Sequence, residues 1–217
     1  MHESGSPSSD GARESRRCAA AWENLVNPID LVSSGEVAVL GEAPGNKTLY
    51  VDASAGGTQA ASTNPRLYLS LETASKVSVT DRSAMTSGAW DLAIKRPILF
   101  TNGGDAGRGQ GGAVFLSEID FASVDKDDAT GRIFASESFF EADCTPKLDA
   151  TGALRTSFDE WYDYDTSNNT LSPKRGTWLV KGTTGKVYKV RILTYYATPD
   201  GGTGPAGGRY TLEVGAL

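Results

Sequence analysis

The sequence predicts an all-β protein, a single mostly antiparallel domain with long hairpins and glycine-rich loops. Three observations point there. After Trp22, short runs alternate apolar and polar residues at a period of two. Glycine makes up 25 of 217 residues, with 9 prolines, so turns interrupt every run. Charged residues are 22% and hydrophobic residues 39%, enough apolar side chain to bury a core at this length.

The elements follow in order. Residues 1–17 hold Ser, Gly, Pro and charge, with no large apolar residue beyond Met1 and no apolar stretch of the signal-peptide kind. Residues 1–20 therefore read as a disordered linker or tether, and 21–217 as the β-domain. Residues 35–40 and 48–52 read as strands about a turn at 41–45. In residues 66–72, Leu67, Leu69 and Leu71 point one way and Tyr68 and Ser70 the other, which predicts one buried face. Residues 76–80 alternate again. Residues 90–95 and 98–101 form a strand pair around Pro97, expected at an edge or bend. A glycine loop spans 102–112, a strand 113–121, and residues 125–160 are the one place where a helical turn or two is expected. A long hairpin joins 178–182 to 187–197, with Tyr188, Val190, Ile192 and Thr194 on one face and Val187, Lys189, Arg191 and Leu193 on the other. A glycine loop at 200–208 leads into a last strand at 209–214.

Composition narrows the chemistry. With 21 Lys+Arg against 27 Asp+Glu, the net charge of −6 weighs against nucleic acid or an anionic membrane as partner. The single His is His2, in the leader, so the folded part has no His base for a triad, no HExxH zinc site and no His ligand for haem. Two cysteines alone cannot build a zinc or iron–sulfur site. No apolar run reaches the roughly 18–20 residues that span a bilayer, so no transmembrane segment is expected.

Four motifs need weighing. Residues 107–112 (GRGQGG) match G-x-G-x-x-G by letter, but the following AVFLSEIDF is strand-like where a dinucleotide site needs a helix. A flexible loop or tight hairpin is the expectation. Residues 125–131 resemble a calcium loop, yet placing Gly131 sixth puts Lys126 first, where a carboxylate is needed, although Glu137 falls twelfth. They read as a solvated acidic turn. In residues 159–165 (DEWYDYD), a strand would put Trp161, Asp163 and Asp165 on one face and Glu160, Tyr162 and Tyr164 on the other. Glycoside hydrolysis uses two carboxylates at a fixed separation. Nothing in this spacing fixes such a pair, so the segment reads as aromatic core or rim with charged edges, and the chain is not read as an enzyme. Cys18 and Cys144 are either two unrelated thiols or a bridge closing a loop of over a hundred residues. The bridge is the reading taken, and it implies an oxidising compartment.

Three blocks resemble the HmuY family in order and spacing: Trp90-Asp91-Leu92-Ala93-Ile94-Lys95-Arg96 with Thr101-Asn102-Gly103-Gly104, then Trp161-Tyr162-Asp163-Tyr164 with Leu171-Ser172-Pro173, then the run from Gly185 to Tyr196. Together they span roughly residues 65–215. The resemblance implies an exported all-β protein, tethered to the outer membrane as a lipoprotein or released to the periplasm or exterior. It further implies a non-enzymatic role in haem capture for uptake, with an outer-membrane receptor as a further partner. Family members grip haem iron between two axial His or Met side chains. Here the position of a family His, between the Trp-Tyr-x-Tyr block and the Leu-x-Pro, holds Asn168 or Asn169, and residues 113–145 carry neither His nor Met. The candidate haem-binding residues are then Tyr162, Tyr164, Asn169 and Met85, the only internal methionine. The alternative is the same scaffold binding another hydrophobic small molecule or a protein partner.

Overall fold

Two antiparallel sheets and a separate hairpin form the framework of the chain in a computed structural model that describes residues 18–217. The strands are β1 (Val37–Ala43), β2 (Asn46–Asp52), β3 (Leu67–Ser70), β4 (Ser75–Val77), β5 (Leu92–Lys95), β6 (Ile98–Thr101) and β7 (Gly112–Ser117). They continue with β8 (Tyr162–Asp165), β9 (Thr170–Pro173), β10 (Gly176–Lys181), β11 (Val187–Thr194) and β12 (Arg209–Ala216). The larger sheet runs β1-β2-β12-β11-β10-β7, the smaller β4-β3-β5-β6, and β8-β9 stand apart. The last strand lies in the middle of the large sheet, between β2 and β11, which closes the domain on its own beginning.

The two sheets share one core. Leu49 and Val51 of β2, Tyr210 and Leu212 of β12, Val190 and Ile192 of β11 and Trp178 of β10 meet Leu67, Leu69, Leu92 and Ile94 of the small sheet. Each such side chain stabilises the fold by about 1.5–3 kcal/mol on burial. The alternation expected in β11 holds on this face. On the other, Lys189 is also buried, its Nζ donating to the Phe121 and Val124 carbonyls at 3.0 and 2.9 Å.

In β3 the expectation of a single buried face does not hold, because all four residues are buried. Tyr68 faces a second core with Trp22, Val26, Trp90, Phe100 and Phe139. That core exists because a helix covers the outer side of the small sheet. Ala19–Val26 (α1) places Trp22 and Val26 four residues apart on one buried face, and Trp22 Nε1 donates to the Asp105 carbonyl at 3.0 Å. Ala19 and Ala20, read as linker, belong to this helix, whereas the rest of the linker up to residue 17 lies outside the described residues. A disulfide joins Cys18, at the head of α1, to Cys144. A one-turn helix, α2 (Asp81–Ala84), starts at a capping box formed by Thr80 and Ser83. Both helices lie outside the 125–160 window where helical turns are expected; that window holds a 3₁₀ turn at Lys126–Ala129. Among the described residues no helix is long and apolar enough to cross a membrane.

Buried polar side chains staple the layers. Asp91 accepts from Leu71 N (2.7 Å) and Thr183 N (2.8 Å), tying the small sheet to the β10–β11 turn. Asp81 accepts from Arg66 N, Arg66 Nη1, Tyr68 Oη and Ile29 N, all within 3.2 Å. Asn102, fully buried, donates from Nδ2 to the Ser87 and Trp90 carbonyls (2.9 Å each) and accepts at Oδ1 from Gly109 N (3.1 Å). Its own carbonyl accepts from Gly111 N at 2.8 Å. A Cβ at Gly109 would sit 2.5 Å from the Asn102 carbonyl oxygen, and one at Gly111 would sit 2.6 Å from it. Those glycines are therefore spent on wrapping the chain around Asn102. The loop, expected to be flexible or a tight hairpin, is wrapped around a buried side chain, and β7 follows it directly.

Candidate functional site

A cleft of about 410 Å³ opens between the irregular segment 148–161 and the β5–β6 turn. Its walls include Pro97, Ile98, Leu148, Phe158, Tyr162 and Tyr164. That volume lies within the range of small-molecule sites. Trp161 anchors the wall. It is buried, its Nε1 donates to the Pro97 carbonyl at 2.8 Å, and its ring meets Tyr162, Tyr195 and Tyr210 at centroid distances of 4.8–5.9 Å. From there β8 leaves the core, so Asp163 and Asp165, expected to share a face with Trp161, are exposed. The β8–β9 hairpin is tied back to the large sheet by Leu171 N donating to Tyr196 Oη at 2.9 Å.

The opposite wall folds on itself. Asp149 Oδ1 accepts from Thr151 N, Thr151 Oγ1 and Ala153 N within 2.9 Å. The Thr151 hydroxyl bond is the main reason that its carboxyl is held below the usual range. Arg155 pairs with Asp159 at 2.7 Å.

Under this wall lies Glu137. Its Oε1 accepts from Thr101 N (2.7 Å), Thr101 Oγ1 (2.9 Å) and Ser157 Oγ (2.5 Å), and its Oε2 from Ser157 N (2.9 Å). It latches the cleft wall to the end of β6. Despite four donors, burial raises its carboxyl to about 6 from 4.5. The folded protein thus holds this proton to a higher pH than the unfolded chain. The charged form weighs against the fold above pH 6 by about 2 kcal/mol, and the deficit is relieved as pH falls from 6 toward 4.5. In urea unfolding, the wild type should gain about 1 kcal/mol relative to Glu137→Gln between pH 7.5 and 5.0. A gap that stays constant with pH would refute this account. The sequence carries no sign of the latch beyond a glutamate between two serines.

The structure brings together part of the expected set. Tyr162 and Tyr164 line the cleft, and Tyr164 Oη donates to Asn169 Oδ1 at 2.7 Å across the hairpin. Asn169 supports that tyrosine from a left-handed turn (φ 57°) and does not itself line the cleft. Met85 directly follows α2, packs against the second core with Trp90 and Phe100, and does not line the cleft. The acidic run at 125–128 caps its own 3₁₀ turn, Asp125 N donating to Asp128 at 2.9 Å, and Glu137, the twelfth position of the calcium pattern, is occupied at the latch.

The fit of a coordinated haem iron can be judged from these groups. The cleft has no His or Met among its lining residues. An iron-bound tyrosine must lose its proton, but burial, then Asp149 and Asp159, raise the Tyr162 phenol above its ordinary value. Tyr164, 52% exposed, gives its hydroxyl proton to Asn169. The lining mixes Ile98, Leu148, Tyr162 and Tyr164 with Asp149, Arg155, Asp159 and Glu160, and it does not suit an axially held iron. Among the described residues no group of three or more His, Cys, Asp and Glu side chains could hold a metal ion.

The two-sheet antiparallel scaffold carries this cleft beside its small sheet, with Phe158, Trp161, Tyr162 and Tyr164 in the wall. The chain belongs to the HmuY family, whose family model, described as HmuY protein, matches residues 62–207. The match leaves out α1, β1, β2 and β12. Among solved structures, the chain is similar to a proposed HmuY-like haem-binding protein from Bacteroides vulgatus, at 18% identity and a TM-score of 0.50, covering 82% of this chain and 97% of that one. It is also similar to a proposed lipoprotein from Bacteroides fragilis (19%, TM-score 0.49, 82% and 95% covered) and to an apo HmuY analogue from Tannerella forsythia (14%, TM-score 0.49, 78% and 95% covered). At these identities the likeness is one of fold. No curated protein matches the chain.

Proposed function

We propose that this protein is an exported, non-enzymatic binding protein that keeps the HmuY scaffold and holds a planar hydrophobic molecule, a tetrapyrrole in kind, by apolar and aromatic contact. The observation that carries this is the cleft itself, walled by Ile98, Leu148, Phe158, Tyr162 and Tyr164 and without an axial donor of the His or Met type. Family membership supports the ligand class, and the B. vulgatus neighbour is described as haem-binding. Export is supported by the Cys18–Cys144 disulfide, since such bonds persist in oxidising compartments.

Haemin and metal-free protoporphyrin IX, titrated in parallel and followed by quenching of tryptophan fluorescence, test the reading. Both should saturate, with dissociation constants within about threefold of each other, because iron adds nothing the cleft can grip. Tyr162→Ala should weaken both by roughly three- to tenfold, the worth of one aromatic contact. Saturable binding of haemin alone, with an axial-ligand spectrum, would show that iron is held after all. Failure of both to bind would remove the cleft as a tetrapyrrole site.

A further inference from the structure

A second cavity, of about 330 Å³, backs onto the first and shares Pro97, Ile98, Ala153 and Leu154 with it. Its character differs. Leu25 of α1, Ile98 and Leu154 supply apolar surface, while Arg66, Lys95 and Arg96 supply three cations. No carboxylate lines it, although the chain as a whole carries a net charge of −6.

The cations are incompletely answered. Asp81 neutralises Arg66 through Nη1, and Nη2 donates to the Val26 carbonyl at 2.7 Å. The Arg66 Nε, in a residue only 7% exposed, has no hydrogen-bond partner. The Lys95 side chain is half-buried and makes no ion pair or hydrogen bond among the described residues, its charge offset only at a distance by Asp81. Burial, with Arg66 close by, holds its ammonium below the ordinary lysine range. A buried donor without an acceptor and a half-buried cation without a counter-ion both cost free energy that an arriving anion would return. The apolar half of the cavity would remain wet if that anion were a bare inorganic ion.

We infer that this cavity binds a carboxylate carried on a single apolar chain, with the carboxylate on Lys95 and Arg66 and the chain against Leu25, Ile98 and Leu154. Charge complementarity selects the head and the leucine-lined wall selects the tail. Because α1 forms part of that wall, the site is complete only in the disulfide-bonded chain.

Dodecanoate, below its micelle concentration, is the probe, with dodecanol as the neutral match. Calorimetric titration of the full chain should give one saturable site for dodecanoate and at least tenfold weaker binding of dodecanol. Lys95→Gln should weaken dodecanoate about tenfold and leave dodecanol unchanged, whereas Lys47→Gln, at an exposed ion pair with Glu42, should change neither. In the unmodified protein, dodecanoate should shift the amide resonances of Leu25, Arg66 and Lys95, which line only this cavity, a readout that does not depend on any variant folding. Equal affinity for the two amphiphiles, or an unchanged Lys95→Gln, would overturn the inference. So would shifts confined to Thr151, Tyr162 and Tyr164, which would put the molecule in the first cleft.

Discussion

Replacing Asp81 with Ala is expected to remove about 3–5 kcal/mol of folding stability, a large share of the roughly 5–15 kcal/mol a native domain has. The residue is 2% exposed and gathers four donors from two separate segments: Ile29 N ahead of the strands, and Arg66 N, Arg66 Nη1 and Tyr68 Oη at the start of β3. Without it, Arg66 becomes a buried cation lacking its counter-charge, and two backbone N–H groups and a phenol lose their acceptor. Unfilled buried donors weigh more than the bonds themselves contributed. Asp81→Asn, which keeps an acceptor but not the charge, should fall between the two. Chemical unfolding of the three proteins would read this directly, and an Asp81→Ala protein within 1 kcal/mol of wild type would mean that water fills the vacated place.

The second large effect is expected on reducing the Cys18–Cys144 bond. The cysteines are 126 residues apart in sequence, and the chain-entropy relation gives about 5 kcal/mol for a loop of that length. The loss should begin locally, because α1 reaches the small sheet mainly through Trp22 and Val26 and is held at its head by the bond. Hydrogen exchange in reductant should expose the amides of Trp22 and Val26 before those of β11 and β12. Simultaneous exchange everywhere would show instead that α1 and the sheets unfold as one unit.

Much of the fold was legible because its strands are short, alternating and punctuated. The β5–β6 pair around Pro97 and the long β10–β11 hairpin lie where periodicity and turn residues put them. The G-x-G-x-x-G letters were correctly set aside, since a strand and not a helix follows. What alternation could not reveal was how many layers cover a strand. Tyr68 looks like a solvent-facing residue in a Leu-Tyr-Leu-Ser run until Trp22, Trp90 and Phe139, from three distant segments, are seen to enclose it. The site was legible only on the Tyr162 and Tyr164 side. Its opposite wall, residues 148–156, has no regular pattern to read, and Pro97–Ile98 looked like an ordinary bend. Met85 suggested a ligand by its chemistry alone, and packing assigned it to a core.

The wrap around Asn102 is framework and not binding surface. Asn102, its neighbouring glycines and Trp90 are among the residues by which the chain resembles its relatives, and they are spent on holding the two sheets in register. Neither cleft is lined by Asn102 or by the glycines that wrap it. The surfaces that would touch a ligand are drawn instead from the irregular 148–162 segment, the β5–β6 turn and α1, and α1 lies outside the span the family shares. Lys95, Arg96, Tyr162 and Tyr164 belong at once to the family-like blocks and to the cleft walls, so in this molecule the scaffold's signature and its contact surface are partly the same residues.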